Sequence, residues 1–294
     1  MKRSLAILGG SGLYDLPGVT SVEWVEVETP YGPPSDAVLR ARLDGDDDVE
    51  LLFLPRHGRG HRIPPHRINY RANVCALKML GAEAILSVSA TGSMKESIAP
   101  GDLVVIDQVI DLTRRRTSTF FDGIVAHVAF SQPICPVLAS AVHDAASRVR
   151  ARAAASGVPF GLHLGGSYVC IEGPQFSTRA ESLVYRSWGV SLIGMTNMPE
   201  AKLAREAELP YATLGLATDY DCWHESEEAV DVQAVVSRLR TMTVHAREVV
   251  LELARSMPDL SASPARSALA GAIMTAPDAL PAEERAQLAW LLGE

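Results

Sequence analysis

Ala84-Ile-Leu-Ser-Val-Ser-Ala-Thr-Gly-Ser93 opens as a nearly unbroken apolar run and closes in hydroxyls and a glycine. Such apolarity over 84–88 marks a β-strand covered on both faces, because a strand with one wet face alternates instead. Similar runs stand at 5–8, 51–54, 103–106, 168–171, 190–193 and 212–217. Helix-like segments fall among them, at 70–80, 137–155, 179–188, 200–208 and, longest, 230–256. The alternation predicts an α/β sheet flanked by helices. Between 22 and 48 the rhythm breaks into turns and short strands: Thr29-Pro-Tyr-Gly-Pro-Pro34, then Val38, Leu39 and Leu43. The sheet is therefore expected to be mixed. The main domain is expected over 1–256, followed by a linker and helical tail over 257–294. The tail begins around Ser261-Ala-Ser-Pro264 and ends in a helix over 281–292. Leu288, Leu291 and Leu292 form an apolar face there that must pack on the domain or on a neighbouring subunit.

The chain's 294 residues, 47% hydrophobic and 21% charged, suffice for a substantial core. Twenty-seven basic against thirty-five acidic residues, a net charge of -8, argue against generic nucleic-acid binding and require any anion site to be built locally. Cys75, Cys135, Cys170 and Cys222 lie far apart with no C-x-x-C pair, so a zinc knuckle or disulfide framework is not expected and a reduced cytoplasmic protein is. The apolar run after Met1-Lys-Arg-Ser4 is too short for a signal peptide, and no run reaches membrane-spanning length.

Several polar segments sit where predicted strands end. Gly9-Gly-Ser-Gly12 can wrap an anion with backbone amides and the Ser11 hydroxyl, or be a plain tight turn. It is a poor dinucleotide fingerprint, because Asp15 falls at the third glycine of G-x-G-x-x-G, and Leu13 spoils a G-x-S-x-G elbow. Pro55-Arg-His-Gly-Arg-Gly-His-Arg62 is the most cationic stretch and suits a phosphate or a solvated turn. His57 and His61 have metal-ligand spacing, but Gly58 replaces the glutamate of H-E-x-x-H and two glycines oppose a helix, so no metal site is expected. With 89–93, these loops would meet beyond the carboxyl ends of strands, where open α/β sheets bind ligands. Asp219 and Asp221, in Ala217-Thr-Asp-Tyr-Asp-Cys-Trp223, are two apart at another strand end; on an extended segment both would face one ligand. A solvated turn or helix N-cap also accounts for them. Phe176 and Met195, in Glu172-Gly-Pro-Gln-Phe-Ser-Thr-Arg179 and Gly194-Met-Thr-Asn-Met-Pro-Glu200, could cover a base and a sugar, or fill core.

Taken in order, GGSG, RHGRGH, NYRAN, ATGS, PGD, DQVID, EGPQFSTRAES, MTNMPE and ATDYDCW resemble the purine nucleoside phosphorylase family over residues 4–250, and most closely its 5'-methylthioadenosine phosphorylase branch. The resemblance implies a single-domain phosphorylase-like α/β fold with a mixed central sheet, and a homotrimer or dimer of trimers with sites at subunit borders. It implies phosphorolysis of 5'-methylthioadenosine or of another purine nucleoside: adenosine, 2'-deoxyadenosine, methylthioinosine or a 5'-halogenated 5'-deoxyadenosine. Inorganic phosphate is then the co-substrate, with no metal or organic cofactor and no membrane or nucleic-acid partner. Carried over by position, phosphate contacts fall on Ser11, Arg56, His57, Ser89, Ala90 and Thr196. Met195 matches the methionine that covers the ribose; Phe176, Ser177, Asp219 and Asp221 match base-site positions, the two acids facing N7 and the 6-amino group. Val232, Val235 and Val236 match residues lining the 5' pocket. His127, in Ala126-His-Val-Ala-Phe130 where the family has His-Ile-Pro-Met, matches a histidine lent by the neighbouring subunit. The tail lends an apolar residue in relatives.

Overall fold

The computed structural model describes residues 3–10, 12–14, 16–224 and 232–292, without the side chains of residues 47 and 232–235. In chain order the elements are β1 (Arg3–Gly9), β2 (Val19–Val25), β3 (Val38–Leu43), β4 (Asp46–Pro55), α1 (Tyr70–Met79), β5 (Ala84–Ser93), β6 (Leu103–Val105), β7 (Gln108–Asp111), α2 (Pro136–Ala155), β8 (Leu162–Leu164), β9 (Ser167–Cys170), α3 (Arg179–Ser187), β10 (Leu192–Gly194), α4 (Asn197–Glu206), β11 (Tyr211–Asp219), α5 (Val232–Arg255) and α6 (Ala282–Leu292). Every apolar run read as a strand overlaps one, and the helices fall where periodicity placed them. The short β7 and β8 carry too little apolar signal to be read that way.

The strands form one mixed sheet in the order β2-β3-β4-β1-β5-β10-β9-β7, with β11 against β5 and β6, and β8 beyond β6. The break in rhythm at 22–48 is its antiparallel wing: β2 pairs β3 and β3 pairs β4 antiparallel, while β4, β1 and β5 run parallel. Two helix pairs pack on the sheet, α2 with α5 against β11, and α1 with α4, which also reaches β5. Strands β1 and β11 are buried along nearly their whole length, as their unbroken apolarity requires. In the tail, Leu288 of α6 is fully buried in the main core, and the Trp290 ring stands edge-on to Phe120 at 5.0 Å.

One correction concerns the stretch that decides the fold. Residues 89–93 are not a loop after a strand; they are the second half of β5, held by β11 as far as Gly92. On its other side β5 changes neighbour. Residues 84–87 pair with β1, and residues 92–93 pair antiparallel with β10. Residues 88–91 lie between the two ladders, where β1 has turned away and β10 has not yet begun. Such a fork is the topological position at which a sheet of this kind admits a ligand.

Candidate active site

The fork in β5 gathers the predicted phosphate residues that the structure describes. Ala90 is the single exposed residue of β5, marking where the strand is open. On either side of it Ser89 is buried, its Oγ 2.6 Å from Oγ1 of Thr196 at the head of α4. Two hydroxyls sharing one hydrogen bond retain one O–H proton between them, and that donor remains for an anion. Arg56, at the end of β4, is 2% exposed and paired with Glu200 of α4: Nε to Oε2 at 2.7 Å, Nη2 to Oε1 at 3.0 Å. Nη2 also donates to Leu8 O at 2.9 Å and to Ser87 Oγ at 2.7 Å, whereas Nη1 donates to Val88 O at 3.3 Å. The planar fork thus grips Glu200 rather than standing open, and the capacity left toward a ligand is on Nη1. Burial alone would lower the guanidinium pKa; the Glu200 carboxylate reverses this and holds it charged.

His57 is tied by Nδ1 to Ile63 O at 2.8 Å and stacks on His61 at 4.3 Å. Burial lowers its pKa to about 4. With Nδ1 donating to a carbonyl, neutral His57 offers the Nε2 lone pair, which suits a phosphate oxygen that still carries a proton. The 9–12 loop is close by: the Arg56 amide donates to Gly9 O, and Arg247 of α5 donates to Gly12 O. Ser11 lies outside the described residues.

The two acids meet by a route that alternation does not describe. β11 carries a bulge between Ala217 and Asp219, and Asp221 begins a 3-10 turn with a φ of 54°. The bulge and left-handed residue bring both against Gly92 of β5, where an added Cβ would lie 3.1 Å from Asp219 Oδ1 and 3.2 Å from Asp221 Cβ. A side chain there would fill the space they share. The Asp221 amide donates to Asp219 Oδ1 at 2.8 Å, and Thr218 Oγ1 donates to Asp219 Oδ2 at 2.7 Å. Asp221 Oδ2 accepts from the buried Ser182 hydroxyl of α3. The Asp221 carboxyl is raised above its usual range, first by burial; the Ser182 hydrogen bond opposes this and the Asp219 charge adds to it.

The 172–177 loop closes over the acids. Cys222 Sγ approaches Ser177 O at 3.3 Å, while Ser177 Oγ is buried with no hydrogen-bond partner in the protein. A buried hydroxyl left in this state is costly unless a ligand satisfies it. Phe176 is half exposed at the rim. Gly173, at φ 66°, makes room for Met195, whose Sδ would lie 2.5 Å from a Cβ there. Ser182 and Glu200 lie within quoted motifs, but no role was read for them; both signals are visible only as tertiary partners of Asp221 and Arg56.

His127 stands apart from this cluster. Its ring is exposed, and its amide donates to Ala272 O at 2.9 Å in a short antiparallel contact between Ala126 and Ile273. Met274, 65% exposed, sits beside it with its amide on Val125 O. The apolar tail residue that the resemblance implies therefore has a candidate adjacent to His127. Val236 on α5 is exposed; the side chains of Val232 and Val235 lie outside the described residues. Arg238 of the same helix donates to Thr218 O, joining α5 to the bulge beside Asp219. Among the described residues no cluster of His, Cys, Asp and Glu could hold a metal ion. A groove of about 570 Å³ between α2 and the end of α5 shares no residue with the site.

A forked mixed sheet with hydroxyls, a buried arginine and an acid pair at the fork is the framework of a phosphorylase, and the chain belongs to the phosphorylase superfamily, whose profile matches residues 4–255. More particularly, it is 47% identical over 295 residues to the S-methyl-5'-thioadenosine phosphorylase of Geobacter sulfurreducens, covering 100% of this chain and 99% of that one. A methylthioadenosine phosphorylase from an antarctic soil metagenomic library superposes with a TM-score of 0.89 at 45% identity, over 99% of both chains. A variant of an adenosine/methylthioadenosine phosphorylase from Schistosoma mansoni, solved with adenine, gives 0.82 at 36% identity, over 93% of this chain and 99% of that one.

Proposed function

We propose that the chain is a pentosyltransferase that cleaves S-methyl-5'-thioadenosine with inorganic phosphate, yielding adenine and 5-methylthioribose 1-phosphate. The observation that carries this reading is the convergence at the β5 fork: groups suited to a phosphate at residues 56–57, 89 and 196 on one side, and an acid pair beside Gly92 on the other. Breaking the C–N bond leaves positive charge on the ribose and negative charge on the purine, so rate comes from stabilising both. A phosphate oxygen forms the new bond to C1' as the bond to N9 breaks, and the phosphate's negative charge offsets the charge on the sugar. The electron pair stays on the purine, and a proton at N7 neutralises it. Asp219 is assigned to N7 and Asp221 to the 6-amino group. A pair in which burial and mutual repulsion favour protonation keeps a proton more readily than exposed carboxyls do.

Inorganic phosphate is the only co-substrate this reaction requires. His127 with its neighbour Met274 is read as completing the 5' pocket of an adjacent subunit, which makes a homotrimer or a dimer of trimers the working unit. No helix among the described residues is long and apolar enough to cross a membrane; we place the protein in the cytoplasm. Adenosine is the second substrate to consider, since the schistosome relative carries both names. A panel of methylthioadenosine, adenosine, 2'-deoxyadenosine, methylthioinosine and a 5'-halogenated 5'-deoxyadenosine, each with and without phosphate, tests the reading. Phosphate-dependent release of adenine, fastest from methylthioadenosine, is expected; equal release without phosphate overturns it.

A further inference from the structure

One guanidinium outside all the quoted motifs ties together the loops of the nucleoside half of the site. Arg116 follows β7 in Leu112-Thr-Arg-Arg-Arg-Thr117, and its side chain is 1% exposed. Nε donates to Glu172 Oε1 at 2.8 Å, and Nη2 to Glu172 O at 2.6 Å. Nη1 donates to Met195 O at 2.7 Å, to Met198 O at 2.6 Å and to Tyr70 Oη at 2.9 Å. Glu172 reciprocates, its Oε2 accepting the amides of Arg114 and Arg115 at 2.6 and 3.0 Å. Burial pulls the Glu172 pKa upward, but these amides and Arg116 together hold it below the usual range.

The carbonyls engaged are specific. Met195 is the residue assigned to the ribose, and Glu172 starts the 172–177 loop that carries Phe176 and Ser177. Met198 departs from helical dihedrals, at φ -119° and ψ 134°, which takes its carbonyl out of the regular ladder of α4 and gives it to Arg116. A planar fork can serve carbonyls in three directions at once; an ammonium on a flexible stem cannot hold the same angles. Arg56, by contrast, is paired with Glu200, and Ser89 shares a hydrogen bond with Thr196; none of the Arg116 hydrogen bonds described above reaches these side chains.

We propose that Arg116 is a positioning residue for the nucleoside, fixing the separation between Met195 and the 172–177 loop so that sugar and base are gripped as one unit, independently of phosphate. This rests on the phosphorylase reading above. The test compares wild type with Arg116→Ala and Arg116→Lys, measuring kcat/KM for methylthioadenosine at saturating phosphate and KM for phosphate at saturating nucleoside. Nucleoside kcat/KM should fall by about a hundredfold in both variants, the scale on which an ångström of misplacement acts. Phosphate KM should stay within about threefold, on the ground that Arg116 makes no hydrogen bond to the side chains of Arg56, Ser89 or Thr196. Added guanidinium ion should restore part of the Arg116→Ala activity and none of the Arg116→Lys activity. If Arg116→Ala does not fold, Arg116→Lys carries the comparison alone. Wild-type turnover by Arg116→Lys, or an equal rise in both KM values, overturns the inference and leaves a folding brace. A wild type inactive on every nucleoside would instead sink the phosphorylase reading. Adenine affinity by calorimetry then decides for Arg116: about a tenfold weakening in Arg116→Lys sustains the inference, and no change overturns it.

Discussion

At the residue scale, specificity turns on what faces the purine 6-position. Adenine presents a 6-amino donor beside N7, whereas hypoxanthine presents a 6-oxo acceptor. A carboxylate accepts from the amino group and, when protonated, donates to N7; an amide can donate to the oxo group instead. Asp219→Asn should therefore lower kcat/KM for methylthioadenosine relative to methylthioinosine by about one to two orders of magnitude, the cost of one mispaired buried polar group. Asp221, fixed by Ser182, retains part of the adenine preference, so the switch is expected to be partial. An unaltered ratio would mean that Asp219 does not face N7 and the 6-substituent beside it. His57 supplies a different measurement. Its folded-state pKa, about 4, lies below the ordinary 6.5. Between those values the unfolded chain binds the proton and the folded one does not, so stability falls as pH drops from about 6.5 to about 4 and is fully present above that window. A shift of this size corresponds to at most roughly 3 kcal/mol. Urea midpoints of wild type and His57→Gln across pH 4 to 7 read it out: the variant should lose less stability toward the acid end. Parallel curves would mean that His57 is protonated alike in both states.

At the element scale, β5 and α6 show how a sequence pattern becomes position. α6 carries few residues that bury, yet Leu288 is fully enclosed by the main core, and Trp290 packs on Tyr31 and Phe120. Leu288→Ala should cost about 2 to 5 kcal/mol, the range for emptying a packed leucine site, with the thermal midpoint as the measurement. A change below about 0.5 kcal/mol, the size expected of exposed positions, would mean that the tail detaches without consequence for the domain. The strands were legible because burial on both faces demands continuous apolarity, whereas the capping box of Thr178 and Glu181 that starts α3 went unread. The second half of β5 was not. Ser-Ala-Thr-Gly-Ser has the composition of a turn, and only pairing with β11 on one side and β10 on the other makes it strand. The same limit applies to the site. Asp219 and Asp221 were visible as a pair, but the bulge and left-handed residue that bring them to Gly92 are tertiary outcomes. Arg56 was visible as a cation, whereas its partner Glu200 lies 144 residues away. Arg116 sits in a run of three arginines, and nothing local separates the buried one from its neighbours.

At the scale of the whole molecule, the placement of His127 asks where a residue assigned to the 5' pocket finds its substrate. Its ring is exposed, and it is bound through its backbone to the 272–275 segment, which presents Met274 to the same side. An exposed histidine and an exposed methionine held together on one edge suit a surface that completes a neighbour's site, as closed cyclic assemblies permit when each subunit lends one patch and receives another. Shared sites have a consequence that single-chain sites lack. Under the proposed assembly, Asp219→Ala should damage the subunit that holds the base and His127→Ala the subunit next to it, each homogeneous variant carrying the same defect in every site. Mixing the two after reversible dissociation should regenerate intact sites wherever a subunit with Asp219 receives His127 from its neighbour. Random 1:1 assembly of a ring gives about a quarter of the sites in that state. Activity approaching one quarter of wild type, appearing only after dissociation and reassembly, is the expected outcome, with light scattering to establish that the ring has re-formed. Activity equal to the average of the two variants would show that His127 serves its own chain's site or none.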